Sequence, residues 1–323
     1  MTERVSVVIP LYNAAQYIEK TIKSILDQTF TDFVLYVVDD QSTDGGDVIV
    51  KNLASNNKKI IYHRMPHRGG CPAPTKNEGI RLAKGEYVAF CDHDDWWASE
   101  KLERQVAYMD AHGEAQILGC NVEIVDTDRN LSLGNFWVDP SGINPGNIRS
   151  LALEGPILAS TTCMIARRSY LLKHFFDEKL LGSDEYELSL HAVLDDPRQV
   201  VILPETLAYW RWHSASLSHS DQAAARALQD ETLFAARILA RDDLTDYEKQ
   251  IVKNRLRMVT RRAGNADIAA GRIAESKKHY QAAAIQGDKT SKIMLMLTKV
   301  SPFLASKLAD FKRKRSHNNP SFR

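Results

Sequence analysis

Residues 87–97 read YVAFCDHDDWW, a short apolar run followed at once by a cluster of acidic side chains. The apolar run predicts a buried strand, so Asp92, Asp94 and Asp95 should lie at its carboxyl end. Carboxylates this close together disfavour joint ionisation. A divalent cation such as Mg²⁺ or Mn²⁺ relieves that repulsion, and both cations prefer carboxylate and phosphate oxygens. The stretch therefore predicts a metal site that can hold a diphosphate, and the alternative interpretation is a solvated acidic loop.

Further apolar runs lie upstream and alternate with segments of helical spacing. These runs are Val5–Ile9, Phe33–Val38 and the weaker Lys59–His63. Ile18, Ile22 and Ile25 repeat at the spacing of one helix face, and a second helix is predicted from about Thr75 to Ala83. Apolar strands that alternate with helices predict an α/β fold, in which a mostly parallel sheet is flanked by helices.

The polar residues that follow each predicted strand are the candidate ligand-binding residues. In an open parallel sheet, ligands bind beyond the carboxyl ends of the strands. Pro10–Asn13, Asp39–Asp40 and Asp92–Asp95 all follow predicted strands in this way. We therefore expect the three segments to meet at one crevice.

Composition and charge exclude several classes of protein. The chain has 323 residues, 44% hydrophobic and 26% charged, and its net charge of +1 gives no sign of nucleic-acid binding. The four cysteines are dispersed, so thiolate metal sites are not predicted and a reduced, cytoplasmic protein is expected. No signal peptide and no membrane-spanning segment is expected either, because no apolar run approaches the ~18 residues required.

The second half of the chain gives weaker signals. Residues 126–160 carry Pro and Gly and predict a loop-like insertion, whereas residues 160–166 predict a strand that returns to the core. After Ser220 the composition shifts to Ala, Arg, Leu and Gln. We therefore expect a first domain over residues 1–220 and a helical extension over residues 221–323. The predicted helices of the extension span about 221–241, 246–264, 266–270 and 272–286.

The end of the chain combines apolar residues with cations. A basic cluster lies at residues 312–315, and the apolar residues that mix with lysines before it are Ile293, Met294, Met296, Leu297, Val300, Phe303, Leu304 and Leu308. An apolar helical face beside cations suits peripheral contact with an anionic membrane. The alternative interpretation is a helix packed on the first domain, followed by a disordered basic tail.

Taken in order, the motifs of the first half resemble those of the inverting family-two nucleotide-sugar glycosyltransferases. The similar segments are Val5–Asn13, Ser24–Phe30, Val38–Asp44 and Lys76–Tyr87, which leads into the Asp-x-Asp. The resemblance is strong across residues 5–110 and fainter to about residue 220. It implies a GT-A fold, a Rossmann-like α/β domain, here with a C-terminal helical extension.

The resemblance also implies roles for residues that would bind the donor. Asp40 would accept a hydrogen bond from the nucleobase, and Pro10 or Tyr12 would pack on the base. Asp92 would lie near the ribose and the metal, and Asp94 would reach the Mn²⁺ or Mg²⁺ that bridges the phosphates. The alternatives are a capped turn for Asp40 and core packing for Tyr12.

Basic residues that would face the diphosphate are implied in the same way. Lys76 precedes an Asn, as in the family, and Arg211 would neutralise charge in a loop that closes over the diphosphate. His213 would ligate the metal or contact a phosphate, and a purely structural histidine is the alternative.

The catalytic base is expected at residues 184–186. The family has Glu-Asp followed by an aromatic residue there, with the Asp as base, whereas this chain has Asp184, Glu185 and Tyr186. Alignment on the aromatic residue assigns Glu185 as the base and Asp184 as a supporting residue. An acid-rich helix start, which the helix dipole favours, is the alternative.

The function implied is transfer of one sugar from a nucleoside-diphosphate sugar, by default a UDP-sugar, to a hydroxyl of a glycan or glycolipid. Synthesis of cell-surface polysaccharide or lipopolysaccharide is the expected setting. Ala208 stands where processive synthases carry the Gln of their Gln-x-x-Arg-Trp motif, which favours single transfer. The alternatives are a nucleotidyltransferase, whose glycine-rich basic loop is missing after the first strand, and a catalytically silent nucleotide-sugar sensor or scaffold.

Overall fold

The computed structural model describes residues 3–213, 223–301 and 305–309. The chain divides into two compact units. The first comprises Met1–Ala152 and Pro156–His213, and the second comprises Leu153–Gly155 and Ser214–Arg323. The predicted boundary between residues 220 and 221 lies outside the described residues.

A nine-stranded sheet organises the first unit, and its order is β3-β2-β1-β4-β8-β6-β9-β5, with β7 paired to β6. The strands are β1 (Val5–Leu11), β2 (Phe33–Asp39), β3 (Ile60–Arg64), β4 (Tyr87–Phe90), β5 (Trp96–Trp97), β6 (Ile117–Asp126), β7 (Leu131–Asn135), β8 (Ile165–Arg167) and β9 (Val200–Trp212). Strands β3, β2, β1 and β4 are parallel neighbours, as are β6 and β9. Antiparallel strands β8, β5 and β7 complete the sheet.

Every residue of β1 is buried, because helices cover the sheet. The helices that precede β9 in the chain are α1 (Ile18–Leu26), α2 (Gly46–Asn56), α3 (Pro72–Leu82), α4 (Lys101–Ala111), α5 (Ile148–Glu154), α6 (Arg168–Leu171) and α7 (Asp184–Asp195). Helix α3 begins at Pro72 rather than near Thr75, because proline fits the first helical positions, where no N–H bond is needed. These elements confirm the predicted α/β fold.

Two local predictions for the middle of the chain were wrong. Residues 126–160 are not loop throughout, since they contain β7 and α5. Asn130 has a φ of +52°, and this left-handed turn returns β7 onto β6. Residues 160–166 are not a continuous strand, because Thr161–Cys163 form a 3-10 turn and only Ile165–Arg167 pair in the sheet.

The second unit is helical. Its helices are α8 (Ala223–Leu239), α9 (Asp246–Ala269), α10 (Ile273–Ile285) and α11 (Lys289–Val300), and residues 305–309 are also helical. The separate helices predicted at 246–264 and 266–270 are one helix, α9, whose start is fixed by a capping box between Thr245 and Glu248. A small core within this unit gathers Ile268, Tyr280, Met294, Ala305 and Ala309. Over the described residues, the helices are too short or too polar for one to cross a membrane.

Candidate functional site

The carboxyl ends of the parallel strands meet, and they bring the three predicted segments together. Leu11 is in register with Asp39, and the N–H of Asp40 donates to the Leu11 carbonyl at 2.8 Å. On the other side of β1, His93 Nδ1 lies 2.9 Å from the carbonyl oxygen of Pro10. The residues after β1, β2 and β4 therefore line one edge of the sheet.

Asp94 and His213 form the centre of the site. His213 Nε2 lies 3.0 Å from Asp94 Oδ2, although the two residues are 119 positions apart in the chain. Burial acts to raise the pKa of Asp94, but the hydrogen bond with His213 and the charges of His93 and His213 outweigh it and hold the pKa below its usual range. Asp94 is therefore an ionised carboxylate held against an imidazole.

Arg211 is held beside this pair. Its Nε donates to the Asp94 carbonyl at 2.6 Å, and its guanidinium lies 4.8 Å from the Tyr17 ring centroid and 4.9 Å from that of Trp96. Arg211, which was predicted to neutralise charge at the site, is thus held against two aromatic rings. In the structure it contacts the backbone of the acidic stretch.

Asp95 differs from the other acids of the stretch. Its carboxylate accepts the Arg211 N–H at 2.8 Å and the Thr162 hydroxyl at 2.6 Å. Burial, together with the negative charges of Asp94 and Asp92, raises the pKa of Asp95 well above its usual range. Asp95 therefore ties the end of β9 to the acidic stretch and does not face a ligand.

Two threonines that the sequence analysis missed position Asp92. The Thr161 hydroxyl donates to Asp92 Oδ1 at 3.0 Å, and the Asp92 N–H donates to the Thr162 hydroxyl at 3.0 Å. Burial raises the pKa of Asp92, whereas the charge of Lys76 acts in the opposite direction. The 3-10 turn before β8 thus serves the site, and no motif in the sequence marks it.

Asp39 and Asp40, adjacent in sequence, have different surroundings. Asp39 is buried and accepts hydrogen bonds from Tyr62 and Arg64, at 2.7 and 2.8 Å. Asp40 accepts the N–H groups of Gly69 and Gly70, at 2.5 and 3.3 Å. Asp40, the predicted nucleobase contact, is therefore hydrogen-bonded to a glycine-rich loop, whereas Asp39 has a structural role.

Tyr12 contacts Arg68, the residue directly before these two glycines. The guanidinium of Arg68 stands 4.3 Å from the centroid of its ring, within cation–π distance. Tyr12 is partly exposed and Pro10 is buried in β1. Of these two residues, Tyr12 is the one whose ring can be reached by a base.

Lys76 forms a buried ion pair with Asp184. The Lys76 Nζ lies 2.6 Å from Asp184 Oδ2, and both side chains are almost completely buried. This pair joins α3 to the first residue of α7. Lys76, predicted to face the diphosphate, is therefore engaged by the supporting acid.

Glu185, the next residue along α7, is a further acid with a raised pKa. Burial and the negative charge of Asp184 raise the pKa of Glu185 to about 8, against the opposing charge of Lys76. A carboxylate with a pKa near neutrality is suited to general base catalysis. The neighbouring Asp184 is the residue that pairs with Lys76.

Asn77 is a further positioning residue that the sequence analysis did not single out. Its Nδ2 donates to the Phe176 carbonyl and to Glu178 Oε1, both at 2.9 Å, and its Oδ1 accepts the Phe176 N–H at 3.0 Å. Asn77 thereby fixes the segment that precedes α7. The sequence signal was its place directly after Lys76.

A divalent cation needs several oxygen or nitrogen ligands. Over residues 3–213, 223–301 and 305–309, no group of three or more His, Cys, Asp or Glu side chains is arranged to hold a metal. Asp94 and His213 supply one carboxylate and one imidazole, and Mn²⁺ and Mg²⁺ commonly take their remaining ligands from substrate phosphates and water. The residues therefore fit a divalent cation whose remaining ligands come from a diphosphate and water.

Comparison with known proteins identifies a matching family. The family described as Glycosyl transferase family 2 matches residues 6–175. A Bacillus subtilis protein named for teichuronic acid biosynthesis, TuaG, is 40% identical over 105 residues, 32% of this chain and 41% of that protein. A glycosyltransferase from Nostoc, alr2836, is 30% identical over 241 residues, 70% of each chain. For the first of these relatives, the matched part is thus about two fifths of its length.

Solved structures share the fold. S. aureus TarS residues 1–349, in complex with UDP-GlcNAc, superposes with a TM-score of 0.68 at 18% identity, over 97% of this chain and 92% of that one. The mannosyltransferase PcManGT of Pyrobaculum calidifontis, in complex with GDP-Man and Mn²⁺, gives a TM-score of 0.60 at 18% identity, over 99% and 86%. At these identities the structures bear on the fold, and the family match covers more than half of the sequence. The chain therefore belongs to glycosyl transferase family 2.

Proposed function

We propose that this chain is a metal-dependent, inverting glycosyltransferase that moves one sugar from a nucleoside-diphosphate sugar to a hydroxyl of a glycan or glycolipid. The observation that carries the proposal is the pairing of Asp94 with His213, at 3.0 Å, beyond the carboxyl ends of the parallel strands. This is where open α/β sheets bind their ligands. Family membership supports the same reaction class.

Asp94 and His213 would hold the cation, and Asp92 would lie beside them. When bound, the cation stabilises the negative charge that develops on the departing nucleoside diphosphate. Arg211 adds a positive charge next to Asp94, and the Tyr17 and Trp96 rings contact its guanidinium. The chain thus gathers positive charge where the leaving group would be.

Glu185 would act as the general base. Its carboxylate would take the proton from the acceptor hydroxyl as the acceptor oxygen bonds to the anomeric carbon. The bond between that carbon and the diphosphate oxygen breaks on the opposite face, so the configuration inverts. The pKa of about 8 makes Glu185 a stronger base than an ordinary carboxylate.

The donor is proposed to be a UDP-sugar and the product a cell-surface polysaccharide or lipopolysaccharide. Two similar proteins support this choice, because TarS binds UDP-GlcNAc and TuaG is named for teichuronic acid biosynthesis. PcManGT, by contrast, binds GDP-Man. We further propose that transfer takes place in the cytoplasm, at the inner face of the cell membrane.

Donor hydrolysis by an Asp94→Asn variant tests the proposal. We expect hydrolysis of the cognate UDP-sugar by the wild-type chain in Mn²⁺, and a loss of at least about 100-fold in the variant. The matched control is Asp196→Asn, because Asp196 precedes the opposite end of β9 and pairs with Arg198. Equal activity of all three proteins would contradict the proposal. Donor binding without turnover would instead indicate a sensor.

A further inference from the structure

Helix α11 has apolar residues on two opposite faces. One face, which includes Met294, packs into the core of the second unit. On the other face, Ile293 is 59% exposed, Met296 68% and Val300 85%. The spacing i, i+3, i+7 places these three side chains in one row along the helix, which we call the α11 stripe.

The stripe lies among positive charges. Lys289, Lys292 and Lys299 are exposed on the same helix, and the sequence of α11 contains no acidic residue. Large apolar side chains that are exposed in a row usually mark a binding surface. Its partner should therefore offer both an apolar phase and negative charge.

We propose that the α11 stripe binds the surface of an anionic lipid bilayer. Its three apolar side chains would enter the boundary between headgroups and acyl chains, and the lysines would contact acidic headgroups. Charge favours lipid over a second copy of the chain, since two α11 faces brought together would set lysine against lysine. In the sequence, four further cations follow at residues 312–315, outside the described residues.

The inference deepens the proposed function, because it names the surface that would bring the enzyme to a membrane-bound acceptor. The buried face of the same helix explains why the stripe can serve this role without unfolding. Met294, Ser291 and Thr298 are fully buried on the packed side, so binding requires no loss of core contacts. Vesicle binding needs no catalysis, so it can fail or succeed independently of the transfer reaction.

Flotation of the full chain with vesicles tests the proposal. We expect binding to vesicles of phosphatidylcholine with phosphatidylglycerol, and little binding to phosphatidylcholine alone. The triple variant Ile293→Asn, Met296→Gln, Val300→Gln should bind the anionic vesicles at least about tenfold more weakly. The matched control replaces Val48, Leu131 and Val138 with Gln, since these are 54%, 52% and 85% exposed. It should bind as the wild type does.

Charge is tested separately. The variant Lys292→Gln, Lys299→Gln should lose about fivefold in binding for each charge removed, and added salt should weaken the wild type in the same direction. Lys58→Gln removes a charge at an exposed position of the first unit and serves as control. Donor hydrolysis should be unchanged in every one of these variants.

Several results would overturn the inference. The inference fails if the chain binds none of the vesicles. It also fails if the stripe variant still binds them and only neutralisation of residues 312–315 removes binding. If the chain instead self-associates without binding vesicles, and the stripe variant abolishes this association, then the stripe binds a second copy of the chain.

Discussion

Glu185 is the residue on which the proposed mechanism depends most. Because its base form is the ionised carboxylate, activity should be low below its pKa and should rise with pH to a plateau, with a midpoint near 8. We expect kcat/KM of the wild type to follow this profile. In Glu185→Gln, kcat should fall by about 10²–10⁴-fold. Glu187→Gln, two residues along the same helix, should retain both activity and profile, whereas a flat wild-type profile would argue against Glu185.

Lys76 and Asp184 provide a stability test at the same scale. Removing one partner of a buried ion pair leaves an uncompensated charge, so Lys76→Met should lower the free energy of unfolding by about 3–5 kcal/mol. The double variant Lys76→Met, Asp184→Asn should recover much of that loss in urea titrations. If Lys76→Met instead leaves stability intact and only weakens donor binding, then Lys76 faces the diphosphate, as the family resemblance implies.

Individual residues of the site could be predicted only in part. Asp94 follows a strand, and its place was evident from the apolar run before it. The roles of Thr161 and Thr162 could not be predicted. These residues donate hydrogen bonds to acids 69 and 67 positions away, and the fold alone brings such distant residues together. The engagement of Asp40 by Gly69 and Gly70 was missed for the same reason.

At the scale of elements, the contact of α3 with β1 depends on Gly79. A Cβ at this position would come within 2.3 Å of Val8 Cγ1, and Val8 is completely buried. Gly79→Ala should therefore destabilise the chain by about 1–3 kcal/mol, even though alanine has the higher helix propensity. Gly113→Ala, where a Cβ meets nothing within 4 Å, should stay within about 0.5 kcal/mol of wild type. Equal chemical denaturation curves for both variants would contradict this packing.

Elements with a strong local pattern were predictable, and those held by distant contacts were not. Strands β1, β2 and β4 are mostly apolar runs that the sequence shows directly. Strand β8 has only three residues, and its place is decided by pairing with β4 and β6. A three-residue strand carries too little pattern to be recognised from its own sequence.

At the scale of the whole molecule, the chain combines a sheet unit with a helical unit. The helices of the second unit were predicted from composition, but the predicted break between 264 and 266 lies inside α9. A Cβ at Gly264 would come within 2.9 Å of the Tyr280 ring, so the glycine allows α9 and α10 to pack closely. This reason lies in the tertiary structure and cannot be seen in the local sequence.

Asp94 and His213 are proposed to form a metal-dependent nucleoside-diphosphate site, and calorimetric titration tests this most directly. UDP, GDP, CDP and dTDP would each be added to the full chain, once with Mn²⁺ and once with EDTA. We predict binding of one nucleotide, UDP, that is lost in EDTA and in Asp94→Asn but persists in Asp196→Asn. No binding of any nucleotide, or binding that EDTA leaves unchanged, would contradict the claim.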